Sequence, residues 1–409
     1  MSEPDSIWQV TLPNGRTLVP GLVSPSVLTR IESCPRRFHL SRGSYPSIWD
    51  RPGYPSRPSV AALAGMVMHR STEIIGAEVY RSAGTGEARF VAAMRSLGGF
   101  DALVERVTDE LTINVTENPR AQYSRDWLVE QLRRKHQDIR EQVQGNSSIL
   151  DVGQQRRNEA PLSTQPRRLG PGTYFEIELL SPNIGCKGRL DCLSLNESGV
   201  EIIDFKSGER SSEHEFQLRF YQMVWANDRV HNPDGLATVK LALIYPKGTH
   251  YLEPLDTEQL SEFTSAIVER IIHCREQLES DVPQANPTRA NCEFCDVRHL
   301  CDEYWKQPGE EMFIRPSVRR VNTLIDVRLE LKEAITDSVW LVQSQGGGLS
   351  HGTSAHLRCG VFREVFEQMK AGVGTKLRLI AASHMTQDDG TSALSVISVD
   401  PTSEVFFES

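Results

Sequence analysis

Apolar positions recur at two different spacings along the chain, and the changes from one to the other outline its organisation. Residues 1–23 read as a short lead-in, a strand with a hairpin at Asn14-Gly15. In SPSVLTRIESCPRRFHL the spacing is helical: Ser24 or Ser26 caps a helix that carries Leu28, Ile31, Cys34 and Phe38. Ser41 to Pro58 holds several Pro and Gly and reads as a loop. The helical pattern returns from Ser59 to Ala77, with Gly65 and His69 inside it, and again over residues 100–145, which are rich in charge. Residues 146–172, with Ser, Gly, Pro, Gln and Arg in excess, read as a loop.

The period then drops to two. YFEIELL (174–180), GRLDCLSL (188–195) and VEIIDFK (200–206) alternate as strands, the last two joined by an Asn-Glu-Ser-Gly turn. A helix is expected from His214 to Asn227, a strand at KLALIYPKG (240–248) and a long amphipathic helix over 256–279. A boundary falls near 306–320, where Gln-Pro-Gly-Glu-Glu precedes a new pattern. Beyond it LIDVRLEL, SVWLVQS, SAHLRCG, KLRLIAASH and ALSVISV alternate, with one helical piece, FREVFEQMKAG, among them. About five strands with one inserted helix fit a small β-barrel such as an OB-fold.

Composition bounds the class. The chain has 409 residues, long enough for two or three domains, and 39% hydrophobic with 24% charged residues is ordinary globular usage. No run approaches the roughly 18 apolar residues of a membrane span, and MSEPDSIWQV lacks the layout of a signal peptide, so a cytoplasmic protein is expected. The formal charge is 45 − 54 = −9, which gives no global sign of a nucleic-acid binder. Local bias differs: Arg120, Arg125, Arg133, Arg134, Lys135 and Arg140 form one basic segment, and Arg156, Arg157, Arg167 and Arg168 a second. Eight cysteines in so long a chain are too few for a disulfide scaffold, and clustered ones suggest metal binding or catalysis.

The first chemical signal is Asp191 on one strand and Asp204-Phe205-Lys206 on the next. Positions i and i+2 of a strand share a face, so Asp204 and Lys206 project together while Phe205 turns into the core. A hairpin can bring Asp191 beside them. Two carboxylates suit a hard divalent cation such as Mg²⁺ or Mn²⁺. A neighbouring lysine can orient a water or neutralise charge developing on a phosphate. Gln217 and Tyr221 follow on one helical face, Glu176 and Glu178 lie on the preceding strand, and His69 lies upstream.

The second signal is NCEFCDVRHLC, with Cys292, Cys295 and Cys301 in ten residues. A tetrahedral metal or a cubane cluster needs a fourth ligand. His299 is close in sequence; Cys34, in SCPRRF, is the distant candidate. Cys186, Cys192, Cys274 and Cys359 read as ordinary core or surface cysteines.

His69, GRLD ending at Asp191, DFKSG from Asp204 and Gln217-x-x-x-Tyr221 occur in an order that resembles the RecB-like branch of the PD-(D/E)XK nuclease superfamily. One departure is mild: the acid of the D-x-K pair is Asp204, where Glu is also common. The resemblance implies a restriction-endonuclease-like α/β core and metal-dependent DNA cleavage. His69, Asp191 and Asp204 would be metal ligands with the Phe205 carbonyl completing the shell. Lys206 would be the catalytic lysine, working with Asp191 and Asp204, and Gln217 and Tyr221 would contact DNA or support the site. One cysteine before the core and three after it are similar to the Fe–S branch, which includes the AddB nuclease domain and CRISPR-adaptation nucleases. That layout implies a [4Fe–4S] clasp on Cys34, Cys292, Cys295 and Cys301, with zinc on His299 and three cysteines as the runner-up.

The resulting reading has an N-terminal segment (1–58), a nuclease core with a helical insertion and the cysteine cluster (59–305), a linker (306–320) and an OB-like barrel (321–409). Arg36 and Arg37 are expected to touch phosphate. In the barrel, Trp340, His356, Arg358, Lys376 and Arg378 are candidates for single-strand contact, against a packing or partner-docking role. No G-x-x-x-x-G-K-[ST] loop is present, so duplex unwinding would need a helicase partner. The substrate expected is single-stranded DNA or DNA ends, in repair or in prokaryotic defence with a CRISPR-type partner. The alternatives are a non-catalytic DNA-binding or scaffold subunit and a zinc-ribbon binding protein.

Overall fold

The computed structural model describes residues 7–82, 86–147, 168–316, 323–388 and 393–408. Ser24 opens the first helix: its side chain accepts the Val27 amide, and α1 (Pro25–Ser33) buries Leu28 and Ile31. The helical pattern that continues to Phe38 is interrupted at Cys34, whose extended backbone ends α1 and starts α2 (Pro35–Arg42). Pro35 causes the corner, because it has no N–H for the ladder and keeps the residue before it out of the helical region. The hairpin expected at Asn14-Gly15 does not form. Instead Phe407 donates its amide to Trp8 O at 2.7 Å, and Asn14 pairs with Ser44.

Five helices follow: α3 (Val60–Arg81), α4 (Gly86–Ser96), α5 (Gly99–Thr116), α6 (Arg125–Arg134) and α7 (His136–Ser147). Residues four apart or two turns apart, such as Val67, Ile75 and Val79 on α3 and Leu103, Val107 and Leu111 on α5, give this bundle its own core.

The central sheet is β1 (Gly172–Ser181), β2 (Cys186–Asn196), β3 (Gly199–Phe205), β4 (Thr238–Tyr245) and β5 (Gly248–Leu252), in that order. β3 and β4 are parallel, and α8 (Ser212–Asn227) supplies the crossover that such a pair requires. The expected strand at 240–248 is thus a strand and the start of a second. α9 (Thr257–Gln277) opens on an Asp256–Gln259 capping box. Leu28, Ile31, Val200, Ile202, Leu218, Met223, Leu241 and Ile267 bury one sheet face against α1, α8 and α9. On the other face Phe205 packs with Cys192 and Ile244. There α3 comes so near β1 that a Cβ on Gly76 would lie 2.6 Å from the Phe175 ring.

Two short helices, α10 (Arg289–Glu293) and α11 (Asp302–Trp305), bracket the cysteine segment. β6 (Ile314–Pro316), β7 (Thr323–Thr336), β8 (Val339–Gly347), β9 (Ser354–Arg358), α12 (Arg363–Gln368), β10 (Lys376–Asp388), β11 (Ala393–Ser398) and β12 (Glu404–Phe407) complete the chain. β7, β8, β9, β11 and β10 pair in turn, and β10 pairs back to β7, so these five strands close a barrel. β9 and β11 are parallel, and α12 fills the connection from β9 to β10. The described part of the stretch expected as a linker is packed structure: Phe313 is buried, and β6 pairs with β7.

The barrel shares its core with the cysteine segment, through Tyr304 and Phe313 against Val327, Leu329 and Leu379. Asp326, fully buried on β7, ties the two together. It accepts from Arg298 Nε at 2.6 Å, Tyr304 Oη at 2.7 Å, Arg315 Nη2 at 2.9 Å and the Ala381 amide at 2.8 Å. Burial alone would raise this carboxyl's pKa; the two guanidiniums outweigh that and hold it well below the usual range.

Candidate active site and cysteine pocket

The acids meet where two strand ladders break. The β2–β3 pairing reaches Cys192–Ile203 and stops. The β1–β2 register passes from Phe175–Cys192 to Ile177–Leu190 without a Glu176–Asp191 pair. Asp191 sits in that gap, and its Oδ2 accepts the Phe205 amide at 2.7 Å. Asp204 and Lys206, on either side of Phe205, project together as the strand alternation requires, with Nζ 2.5 Å from Asp204 Oδ2. Lys206 also donates to Gln217 Oε1 at 2.6 Å, and Gln217 Nε2 donates to Tyr221 Oη at 2.6 Å, one turn along α8. Gly188 of the GRLD stretch makes room for this chain: a Cβ there would lie 2.8 Å from the Tyr221 ring. Tyr221 is buried, so it supports Lys206 from beneath.

His69 arrives on α3, its Nδ1 3.5 Å from Asp191 Oδ2. A Cβ on Gly65, one turn earlier, would touch Ser207 Oγ at 3.6 Å, so α3 runs close over the exit of β3. Burial lowers the His69 pKa, which favours the neutral imidazole a metal needs. Burial raises the Asp191 carboxyl to about 6. Burial, then the neighbouring Asp191, raises Asp204 to about 7. Buried carboxyls this close are costly without a cation. Asp204 Oδ2 makes no well-formed hydrogen bond, although the Lys206 ammonium is near it.

Among the described residues, one group of three or more His, Cys, Asp or Glu side chains has its ligand atoms within 4.8 Å of one another: His69, Glu176 and Asp191. Glu176 lay outside the metal set expected from sequence. Alternation puts Glu176 and Glu178 on one face and cannot choose between them; the register does, setting Glu178 across from Arg189 and Glu176 at the gap beside Asp191, where its backbone has φ +50°. Glu178 is exposed and pairs with Lys187.

A family model for the PD-(D/E)XK nuclease superfamily matches residues 22–302, more than half of the chain. The chain belongs to that superfamily. Its members are usually metal-dependent nucleases, and the acidic site fits that chemistry. No curated protein matches the chain. Among solved structures, one similar protein is described as SSO0001, 15% identical over 60% of this chain and 96% of that one; a TM-score of 0.25 gives the likeness no weight. Among the described residues no helix is long and apolar enough to cross a membrane.

In this PD-(D/E)XK chain the four expected cysteines line one small pocket. Cys34 stands at the α1–α2 corner, and its Sγ accepts the Arg37 and Asn286 amides at 3.4 Å each. Burial raises the Cys292 thiol to about 12 and Cys295 to about 11. No three of the four sulfurs lie within 4.8 Å of one another. His299, the other candidate ligand, is not in the pocket lining: its ring stacks on Phe406 at 3.7 Å and Nε2 meets Tyr54 Oη at 3.0 Å. Cys186, Cys192, Cys274 and Cys359 are buried core residues.

Many of the basic residues have partners within the protein, and two of them, Arg120 and Arg378, are buried. Arg36 Nε donates to Pro283 O at 2.7 Å, and Arg37, which lines the cysteine pocket, donates Nη2 to Phe294 O at 2.9 Å. Arg120 is buried and bidentate to Glu404, at 2.8 and 2.9 Å, joining helix bundle to barrel. Arg378 is buried, donating to His299 O at 2.6 Å and to Asp302 Oδ1 at 3.0 Å. Arg125, Arg133, Arg134, Lys135, Arg140 and Arg168 each face an acid. Trp340 packs against the barrel core. Arg156, Arg157 and Arg167 lie outside the described residues.

Proposed function

We propose that this chain is a DNA nuclease of the RecB-like Fe–S branch, hydrolysing phosphodiesters of single strands or DNA ends. The observation that carries the reading is Lys206, held between Asp204 at 2.5 Å and Gln217 at 2.6 Å beside the Asp191 carboxylate. His69, Asp191, Asp204 and the Phe205 carbonyl would hold Mg²⁺ or Mn²⁺. A divalent ion there lowers the pKa of its water and polarises the phosphoryl oxygen. Lys206 then faces the scissile phosphate with an ammonium that can orient the attacking water and stabilise developing charge. Gln217 and Tyr221 fix where that ammonium points.

Cys34, Cys292, Cys295 and Cys301 would hold a [4Fe–4S] cluster. All four cysteines line one pocket and His299, the fourth ligand of the zinc alternative, lies outside that lining, which supports the four-cysteine cluster. The role proposed is structural, joining segments separated by more than 250 positions in sequence, since metal binding is coupled to folding. The strand order of the barrel supports an OB-like reading. Its inward clamps, Arg378 above all, favour a packing or partner-docking role over single-strand binding. The biological setting proposed is DNA repair with a helicase partner or prokaryotic defence with a CRISPR-type one.

The test is degradation of end-labelled single strands with Mg²⁺ or Mn²⁺. Wild-type protein with its cluster intact cleaves, and Lys206→Ala loses roughly 100- to 1,000-fold in rate while staying folded. No metal-dependent cleavage of any end structure by the wild type overturns the reading in favour of a non-catalytic scaffold.

A further inference from the structure

Glu176 holds a backbone conformation that side chains other than glycine rarely adopt, φ +50°, in the middle of β1. Such a residue persists only where its surroundings over-determine it. The result is specific. Glu176 and Asp191 are not paired in the ladder, and the Glu176 carboxylate lies with the His69 and Asp191 ligand atoms inside 4.8 Å. Two carboxylates and an imidazole in that space call for a cation. Arg189 supplies one: its Nε is 2.7 Å from Glu176 Oε2, and its side chain is 65% exposed against 17% for the glutamate. Arg189 is two positions before Asp191 on β2, so the strand alternation aims both toward the same side.

We propose that Glu176 is a ligand of the active-site ion, beside His69 and Asp191, and that Arg189 is the cation that holds this carboxylate until the ion takes it. The proposal rests on the nuclease reading above. An exposed arginine can leave at little cost, because its guanidinium regains water. The metal therefore competes with Arg189 for the Glu176 carboxylate. Glu178, the neighbour on the same nominal face, takes no part, since it is exposed and paired with Lys187 at 3.2 Å.

The experiment is a calorimetric Mn²⁺ titration of the full chain, cysteine pocket intact and no DNA present, with melting curves to verify folding. Glu176→Gln weakens Mn²⁺ binding by at least roughly 10- to 100-fold, since losing a direct ligand costs no less than losing a group that only supports one. Arg189→Ala tightens it several-fold, and Glu178→Gln leaves it unchanged. If Glu176→Gln binds like wild type while Asp191→Asn does not bind, the proposal is overturned and the nuclease reading stands. If Arg189→Ala binds no tighter than wild type, the competition half falls. If wild type takes up no Mn²⁺ at all, both fall.

Discussion

The Asp191 carboxylate accepts the Phe205 amide at 2.7 Å, doing for β3 what a backbone carbonyl of β2 would do in a continued ladder. The side chain thus serves two ends. It satisfies an amide of a buried residue, and it pins the peptide whose two neighbours, Asp204 and Lys206, carry the proposed chemistry. Strands that diverge at this point leave room for an ion between acids that would otherwise be closed off by ladder hydrogen bonds.

Asparagine at this position keeps the acceptor and loses the charge. Asp191→Asn is therefore expected to melt no lower than wild type in metal-free buffer while losing metal-dependent cleavage. Asp191→Ala loses cleavage too and is less stable by roughly 1–3 kcal/mol, the cost of an unsatisfied buried donor. Denaturant unfolding beside a cleavage assay separates the two. Equal stabilities for the two variants would show that the amide contact is incidental.

The acids also set a pH dependence. Folded-state burial raises Asp191 to about 6 and Asp204 to about 7, above the 3.8 of a free carboxyl. The folded metal-free protein therefore binds more protons than the unfolded chain between about pH 4 and 7, and its stability falls as pH rises through that window. Asp204→Asn removes one of the two charges. In EDTA its melting temperature exceeds that of the wild type at pH 8, and the margin shrinks toward pH 5. Added Mn²⁺ raises the wild-type melting temperature more at pH 8 than at pH 5 and hardly moves the variant. A wild-type melting temperature that climbs from pH 5 to pH 8 in EDTA relative to the variant would contradict the assignment.

Much of this site was legible in the chain because it is local. Asp191, Asp204 and Lys206 sit on neighbouring strands with the period of a half-buried sheet, and α8 brings Gln217 and Tyr221 by simple i, i+4 spacing. Glu176 and Glu178 share a face in the alternation, and what separates them is the register that sets Glu178 across from Arg189 and Glu176 at the gap beside Asp191, together with the left-handed backbone of Glu176. The arginines were misjudged for a different reason. Arg120 reads as part of a basic segment and Arg378 as a candidate strand contact in the barrel, yet their partners, Glu404 and Asp302, lie far away in sequence. Only the docking of the barrel onto the rest reveals them. The two-helix corner at Cys34 was readable in principle from Pro35, and the helical spacing of Leu28, Ile31 and Phe38 concealed it.

Gly188 is the site's steric margin. Gly188→Ala puts a methyl group 2.8 Å from the Tyr221 ring, and Tyr221 must move. Overpacking of this kind costs typically about 1–3 kcal/mol. Because Tyr221 positions Gln217 and Gln217 positions Lys206, cleavage falls further than stability explains. The expected signature is a reduced kcat with KM little changed, and the combined variant Gly188→Ala with Tyr221→Phe is no worse than Gly188→Ala alone. Normal kcat in Gly188→Ala would sever the link between the ring and the lysine.

Arg120 tests the difference between a DNA path and a structural clamp. Its bidentate partner Glu404 is buried and also faces Arg57 at 3.2 Å. Arg120→Ala leaves that carboxylate short of a cation, at a cost of about 3–5 kcal/mol. DNA affinity of the variant that remains folded keeps the wild-type dependence on salt, since no phosphate contact has been removed. A shallower salt slope with unchanged stability would return Arg120 to the DNA surface.

The cysteine pocket predicts a coupling across the chain. Cys34→Ser removes one proposed cluster ligand, and Cys274→Ala removes a buried sulfur that does not line the pocket. Iron and sulfide content and visible absorption drop in the first variant and persist in the second. Because Tyr304 of the cysteine segment and Asp326 of β7 share a hydrogen bond of 2.7 Å within one core, losing the metal loosens the barrel as well as the pocket. Hydrogen exchange of the β7 amides therefore accelerates in Cys34→Ser, while the central strands β2 and β3 keep their protection. Faster exchange in β2 and β3 with an unaffected β7 would place the cysteine pocket with the sheet and not with the barrel. Iron retained by Cys34→Ser would remove that residue from the proposed ligand set.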